Sequence, residues 1–137
     1  MTLASIQIHT LFQWCNDVAV MRDFYTKLLG LSETFYRNDD QHGWLAYYAG
    51  QTQVVFMRAE TILPIEQEWA MQPSYHGGNS TAKSWLFTVS ADDFATLSDR
   101  IQASNVIVYD GEFDNTCQLF IKDPMGMTIE ISVNDQL

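Results

Sequence analysis

One carboxylate, Glu130, stands in the middle of an alternating stretch near the end of the sequence, and its chemistry needs an explanation. The stretch KDPMGMTIEISVN (122–134) opens with the turn sequence Asp-Pro-x-Gly and then places apolar side chains at every second position from Met127 to Val133. Glu130 lies on the opposite side of this predicted strand. On an outer surface the carboxylate is simply solvated, whereas in a cleft it must bind a cation, accept hydrogen bonds or retain a proton. Glu130 is therefore our candidate catalytic residue and a candidate ligand-binding residue.

The three histidines offer donors for a metal site or a general base, but they are scattered along the chain. His9 lies in a predicted strand, where a hydrogen-bonded structural histidine is the simpler interpretation, and His42 lies in the turn NDDQHG. His76 belongs to the loop SYHGGNS, which could fold over a cleft. Zinc and iron need three or four converging ligands. The histidines by their spacing alone identify no metal site.

Aromatic residues are abundant, with eight Phe, six Tyr and four Trp, which is more than we assign to a core alone. Sandwiching between rings is a way to hold a flat or cationic ligand without a metal. The candidate lining residues are Trp14, Tyr47 and Phe56, followed by Trp69 and Tyr75 in a loop.

Composition restricts the partners. The formal net charge is −10, with 7 basic and 17 acidic residues, so nucleic acids and anionic membranes are excluded as expected partners, whereas a cationic ligand is compatible. Cys15 and Cys117 are far apart and form no CxxC motif, which favours two reduced thiols over a disulfide or a zinc site. No apolar run is long enough to span a membrane. We expect a soluble cytoplasmic protein with one domain.

The hydrophobic pattern predicts the order strand–helix–strand–strand–strand twice, about 75 residues apart. The first set comprises a strand at 5–15, a helix at 16–30 and strands at 31–38, 43–49 and 52–59. The second set comprises a strand at 83–89, a helix at 90–105 and strands at 106–113, 116–123 and 127–133. We therefore predict an α+β fold in which two βαβββ modules in tandem form a curved sheet with a central cleft. The predicted modules span 1–59 and 83–137, joined by a linker loop at 60–82.

Four stretches carry a resemblance to a known family: Asp17-Val18, DFYTKLLGL (23–31), WLFTVSADDF (85–94) and DPMGMTIEI (123–131). In order and spacing they resemble the vicinal oxygen chelate superfamily, which contains glyoxalases, extradiol dioxygenases, fosfomycin-resistance enzymes and bleomycin-resistance proteins. The resemblance covers essentially the whole chain. It implies paired βαβββ modules, a cleft of antibiotic or metabolite size, and often a dimer. It does not select an activity, because the scaffold hosts both catalysts and non-catalytic binders.

The resemblance also places the metal ligands of the metal-dependent members, which are His and Glu side chains from four strands. Those four positions correspond to Thr10, Phe56, Ser84 and Glu130. Only Glu130 keeps a good ligand, and His9 could replace Thr10 only through a one-residue bulge. We therefore expect the complete metal site to be missing and no metal cofactor to be bound. A divalent metal held by a rebuilt site of His9, Glu130 and His76 stays open as the alternative. Thr10 and Ser84 join the candidate ligand-binding residues.

The favoured hypothesis is a homodimeric small-molecule-binding protein that holds an aromatic or cationic ligand in the cleft between the modules. The alternative is a metal-dependent lyase, isomerase or dioxygenase-like enzyme that uses Glu130 and a rebuilt histidine site. A third hypothesis is an interaction protein whose cleft is filled by its own side chains.

Overall fold

The computed structural model describes residues 1–71, 78–109 and 118–134. The chain divides into two compact units, Met1–Leu63 and Pro64–Leu137, which we call the N-terminal unit and the C-terminal unit. The division falls inside the predicted linker 60–82. The predicted strands 106–113 and 116–123 lie partly outside the described residues.

The N-terminal unit is a four-stranded sheet with one helical segment packed on it. Its elements are β1 Thr10–Cys15, α1 Val18–Arg22, a π-helix Asp23–Leu28, β2 Ser32–Asn38, β3 Gly43–Ala49 and β4 Thr52–Arg58. The strand order is β1-β4-β3-β2, with β1 parallel to β4 and the other pairs antiparallel. The first strand begins at Thr10, later than the predicted start at residue 5.

Local chemistry sets the limits of the helical segment. The Asp17 side chain accepts hydrogen bonds from the backbone N–H groups of Ala19 (2.8 Å) and Val20 (3.3 Å), so it caps the helix. Gly30, at a φ of 75°, takes the left-handed conformation that ends the segment. The helix buries Met21, Phe24 and other apolar residues against the sheet.

The C-terminal unit repeats this plan. Its elements are β5 Ser84–Val89, α2 Ala91–Gln102, β6 Gln118–Lys122 and β7 Thr128–Val133. The strand order is β5-β7-β6, with β5 parallel to β7. In the described part of the predicted strand 106–113, a single antiparallel bridge joins Val108 to Ile121. That bridge puts the segment beside β6, in the position that β2 holds beside β3.

The two units therefore share one strand order, and the predicted tandem βαβββ modules are confirmed. In each unit a helix covers one face of the sheet. The second core contains Leu97 and Ile101 of α2 together with Ile129 and Ile131 of β7, all buried. Among the described residues, no helix has the length and apolar character needed to cross a membrane.

Candidate functional site

In each sheet, the face that points away from the helix is called the open face. Residues directly opposite each other on neighbouring strands share a face, and successive residues alternate between faces. In the N-terminal sheet, the pairing therefore assigns these residues to the open face: Thr10, Phe12, Trp14, Phe35, Trp44, Tyr48, Gln53, Val55 and Met57. Several of these rings are exposed, including Phe12 at 60% and Trp14 at 58%. An apolar face left exposed to this extent is typical of a binding surface.

Tyr47 and Phe56, two predicted lining residues, lie on the other face of this sheet. Phe56 is 1% exposed, and its ring centroid lies 4.8 Å from that of Tyr25 in the helical segment. Tyr47 is fully buried, and its hydroxyl forms a 2.5 Å hydrogen bond with Thr26 Oγ1. Burial raises the pKa of Tyr47 to about 12. Both rings belong to the core and do not line the open face.

Thr10 opens β1 on the open face, and its side-chain neighbours differ from those that the resemblance implied. The residue directly opposite Thr10 is Gln53, and the Thr10 hydroxyl donates a 3.3 Å hydrogen bond to Gln53 Oε1. A 2.6 Å hydrogen bond joins the same hydroxyl to Nδ1 of exposed His9. The position beside Thr10 is thus an amide rather than Phe56, because one step along a strand reverses the face.

Glu130 lies on the open face of the C-terminal sheet, opposite to the face that carries Ile129 and Ile131. Its neighbours in register are Leu86 on β5 and Phe120 on β6. Ser84, another predicted site residue, shares this face and is exposed, but it pairs with Thr128 rather than with Glu130.

The Glu130 carboxylate has an unusual setting for an acid. It accepts a 3.0 Å hydrogen bond from the side-chain amide of Gln118. Burial raises its pKa, and the Gln118 hydrogen bond opposes that shift in part. No described Lys, Arg or His forms an ion pair with it. The carboxylate can therefore accept a further hydrogen bond or pair with a cation.

Trp69 is held by protein contacts within the C-terminal unit. Its ring packs edge-on against Tyr109 at 5.0 Å, and Lys122 Nζ lies 5.0 Å from its centroid. Lys122 is buried, and desolvation lowers its pKa. The segment that carries Trp69, Pro64–Ala70, is named the anchored segment. The backbone N–H of its last residue, Ala70, donates a 2.9 Å hydrogen bond to Thr128 Oγ1. The anchored segment therefore covers one end of the open face of the C-terminal sheet, which also carries Glu130. Tyr75 and His76 lie outside the described residues.

A recess of about 560 Å³ lies at one end of the open face of the N-terminal sheet. Six of its lining residues are Trp14, Gln41, His42, Trp44, Met57 and Glu60. Sequence reasoning had selected Trp14 alone, and it had treated His42 only as a turn residue. The alternation of β3 contains a signal for Trp44, because Trp44, Ala46 and Tyr48 share a face. Met57 and Glu60 gave no signal, since their positions depend on strand pairing.

Two units of βαβββ order, each with a sheet open on one face, define a small α+β protein of the vicinal oxygen chelate type. The model of the Glyoxalase/Bleomycin resistance protein/Dioxygenase superfamily matches residues 7–131, and the chain belongs to that superfamily. A search among curated proteins finds no significant match.

Solved structures of the same fold are similar over nearly their full lengths. A variant of the fosfomycin resistance protein FosX from Listeria monocytogenes, in complex with manganese(II) and dihydroxypropylphosphonic acid, has a TM-score of 0.68 at 9% identity, covering 96% of this chain and 93% of its own. Lactoylglutathione lyase from Agrobacterium tumefaciens has a TM-score of 0.63 at 14% identity, covering 98% of both chains. Oxidase ChaP-H2 has a TM-score of 0.66 at 17% identity, covering 95% and 94%. At these identities the likeness shows the fold alone.

The described residues do not fit the metal site found in metal-dependent members of the superfamily. A zinc, iron or manganese centre needs several converging charged or imidazole ligands. Across residues 1–71, 78–109 and 118–134, no three His, Cys, Asp or Glu side chains group closely enough to hold an ion. On the open faces, Thr10 and Gln53 are neutral oxygen donors in one unit, and Glu130 stands with Gln118 in the other.

Proposed function

We propose that this chain is a small-molecule-binding protein of its superfamily that works without the superfamily's complete metal site and takes an aromatic or cationic ligand. The observation that supports the proposal most directly is the environment of Glu130. Its carboxylate lies on an open sheet face, between Leu86 and Phe120 in register, with a neutral amide as hydrogen-bond partner.

A cationic group placed at Glu130 would form a charge-assisted hydrogen bond, which is about twice as strong as a neutral one. It would also remove the cost of keeping a partly buried carboxylate charged, which is the cost that raises the pKa of Glu130. The net charge of −10 attracts cations to the molecule as a whole. Local and overall charge thus favour the same class of ligand.

A homodimer is part of the proposal. Phe12, Phe35 and Tyr48 leave large apolar areas exposed on one sheet face, and a second chain would remove them from water. Light scattering coupled to size-exclusion chromatography tests this expectation, because a mass of one chain at micromolar concentration contradicts it.

A metal-dependent lyase, isomerase or dioxygenase is the rival function. In its favour, Glu130 keeps a carboxylate at the position that the superfamily resemblance assigns to a metal ligand. Against it, the described side chains offer no group of three strong ligands.

The decisive experiment compares the wild-type protein with Glu130→Gln, purified without chelators and without a histidine tag. Elemental analysis should find well below one manganese, iron, nickel or zinc ion per chain in both. About one ion per chain in the wild type, lost in the variant, would overturn the binder proposal in favour of the rival.

Ligand preference is tested with three probes of equal size and different charge. Benzamidine is cationic, benzamide neutral and benzoate anionic. Benzamidine should raise the melting temperature of the wild type more than the other two, and Glu130→Gln should lose that advantage. An equal shift from benzoate, or an unchanged benzamidine shift in Glu130→Gln, contradicts the proposal.

A further inference from the structure

We infer that the recess in the N-terminal unit is a binding site for a flat heteroaromatic molecule of two or three fused rings, uncharged or cationic, held between Trp14 and Trp44. The inference rests on the proposed small-molecule-binding function. It concerns residues other than Glu130, so the role of Glu130 and the site in the recess can be tested separately.

The two tryptophans are placed by strand pairing. Trp14 on β1 and Trp44 on β3 both lie directly opposite Met57 on the strand between them. Adjacent strands are about 4.8 Å apart, so the two tryptophan backbones are roughly 10 Å apart. A ring stacked between two indoles needs about 7 Å between their planes, twice the optimal carbon contact of about 3.5 Å. This backbone spacing is compatible with one flat ring held between the two indoles, above the Met57 side chain.

The exposure of the two indoles shows what a ligand would gain there. Trp14 is 58% and Trp44 41% exposed, so neither ring has its full complement of protein contacts. A ligand stacked on both would remove a large apolar area from water. Met57 lies in the floor, and its thioether contacts aromatic rings favourably. The volume of about 560 Å³ lies within the usual range for small-molecule pockets.

The rim of the recess is fixed before any ligand arrives. The Asp39 carboxylate accepts hydrogen bonds from the backbone N–H groups of Gln41 (2.9 Å) and His42 (2.8 Å) and pairs with Arg37 at 2.6 Å. These bonds hold the turn that presents the Gln41 amide and the His42 imidazole at the recess. A preorganised rim loses less conformational entropy when a ligand binds. Gln41 and His42 can then hydrogen-bond the polar edge of a heteroaromatic ring.

The charges at the rim are of both signs, and the overall charge of the chain disfavours anions. Arg58 lines the recess and keeps its positive charge, but it donates to Asn38 Oδ1 (2.8 Å) and to the Asp39 carbonyl (2.7 Å), which ties its guanidinium group to the turn. Glu60 is an exposed carboxylate at the rim. With a net charge of −10 on the chain, a negatively charged ring is repelled.

Calorimetric titration with three-ring probes at mildly alkaline pH tests the inference. The probes are cationic proflavine, neutral acridine and anionic 9-anthracenecarboxylate. Proflavine and acridine should bind more tightly than the anion. Trp14→Leu and Trp44→Leu should each weaken proflavine binding about tenfold, because each removes one stacking partner but keeps apolar bulk.

Trp85→Leu is the matched control, because it makes the same change on β5 of the C-terminal unit and Trp85 does not line the recess. It should change proflavine affinity less than about twofold. Equal losses in all three variants, no loss in either tryptophan variant, or tightest binding of the anion would overturn the inference. Melting temperatures of the variants separate lost binding from lost folding.

The two proposals are separated by crossing their probes and variants. Loss of the benzamidine preference in Glu130→Gln, with proflavine binding unchanged by the tryptophan variants, supports the proposed function and overturns the recess. The reverse result supports the recess and overturns the role of Glu130.

Discussion

The ammonium group of Lys122 lies 5.0 Å from the centroid of the Trp69 ring. The same Nζ donates hydrogen bonds to the carbonyl groups of Glu68 (2.7 Å), Gly126 (3.0 Å) and Glu66 (3.3 Å). The buried Lys122 side chain thus joins the anchored segment to the end of β6 and to the turn between β6 and β7. The burial that lowers the pKa of Lys122 is offset by three carbonyl acceptors and a ring face.

Replacing Lys122 by Met should lower the free energy of unfolding by about 2–3 kcal/mol, because the carbonyl groups of Glu66, Glu68 and Gly126 lose a charged donor. Hydrogen exchange of Glu66–Ala70 should accelerate more than exchange in α1. Lys83→Met, at an exposed lysine of the same unit, is the control and should change stability by less than about 0.5 kcal/mol. Equal stability of both variants contradicts the anchoring role.

Two glycines with positive φ provide a matched test of the contact between the anchored segment and the turn before β7. A Cβ on Gly126, at a φ of 82°, would overlap the Glu66 carbonyl group, whereas a Cβ on Gly50, at a φ of 62°, meets nothing within 4 Å.

Gly50→Ala should therefore cost only the left-handed strain of about 1 kcal/mol. Gly126→Ala should cost at least about 2 kcal/mol more, because the backbone of Glu66 must move. Chemical denaturation measures both values. Equal losses of unfolding free energy in the two variants would show that the backbone of Glu66 can move at no cost, which contradicts the prediction.

The raised pKa of Glu130 predicts a pH-dependent cost. Below the ordinary value of 4.5 the carboxyl group is protonated in both the folded and the unfolded chain. As pH rises, the unfolded chain loses this proton first, so the folded state becomes relatively less stable until its own carboxyl group ionises. Glu130→Gln should therefore be more stable than the wild type at neutral pH, and the difference should shrink as pH falls below 4.5.

Melting curves from acid to neutral pH measure this difference. Exposed Glu60→Gln is the control for the loss of a carboxylate and should change stability at neutral pH less than Glu130→Gln does. A wild type that is more stable than Glu130→Gln at neutral pH contradicts the prediction, because it would mean that the ionised carboxylate stabilises the fold.

Neighbouring tyrosines on opposite sheet faces test the assignment of core and open face. Tyr47→Phe should lower the free energy of unfolding by about 1 kcal/mol, because the hydrogen bond to Thr26 is lost. Tyr48→Phe, at a ring that is 41% exposed, should change it by less than about 0.5 kcal/mol. The opposite ranking would reverse the assignment.

The ionisation of Tyr47 adds a pH signature to this pair. Burial raises its pKa from 10.0 to about 12, so the neutral hydroxyl is favoured in the folded chain. The stabilising contribution of the neutral Tyr47 hydroxyl to folding is fully present below pH 10 and is lost as pH rises toward 12. The difference between wild type and Tyr47→Phe should therefore narrow above pH 10, as denaturation at several alkaline pH values can show.

Most of the fold could be predicted because its signals are local. The hydrophobic pattern changes period after residue 15, which predicts the first helix, and the repeated order of elements predicts the tandem modules. The start of β1 was placed too early, since Ile6 and Ile8 continue the alternation without being paired into the sheet. Alternation alone does not show where a partner strand ends.

The candidate site was less predictable. Glu130 was found from its place in an alternating strand, and Trp14 from its ring. Phe56 lies on the core side of its sheet, which the sequence does not reveal, because one residue along a strand reverses the face. Met57 could not be recognised from local sequence.

The order of the elements and the apolar face of each helix follow from the amino-acid sequence, because they depend on residues close together in the chain, and the acidic charge follows from composition. Which side chains share a surface depends on the folded structure. Strand pairing brings Trp14, Trp44 and Met57 into one row although they are up to 43 positions apart in the chain. Register is fixed by packing between distant segments, and that packing placed Tyr47 in the core and left Trp44 facing outward.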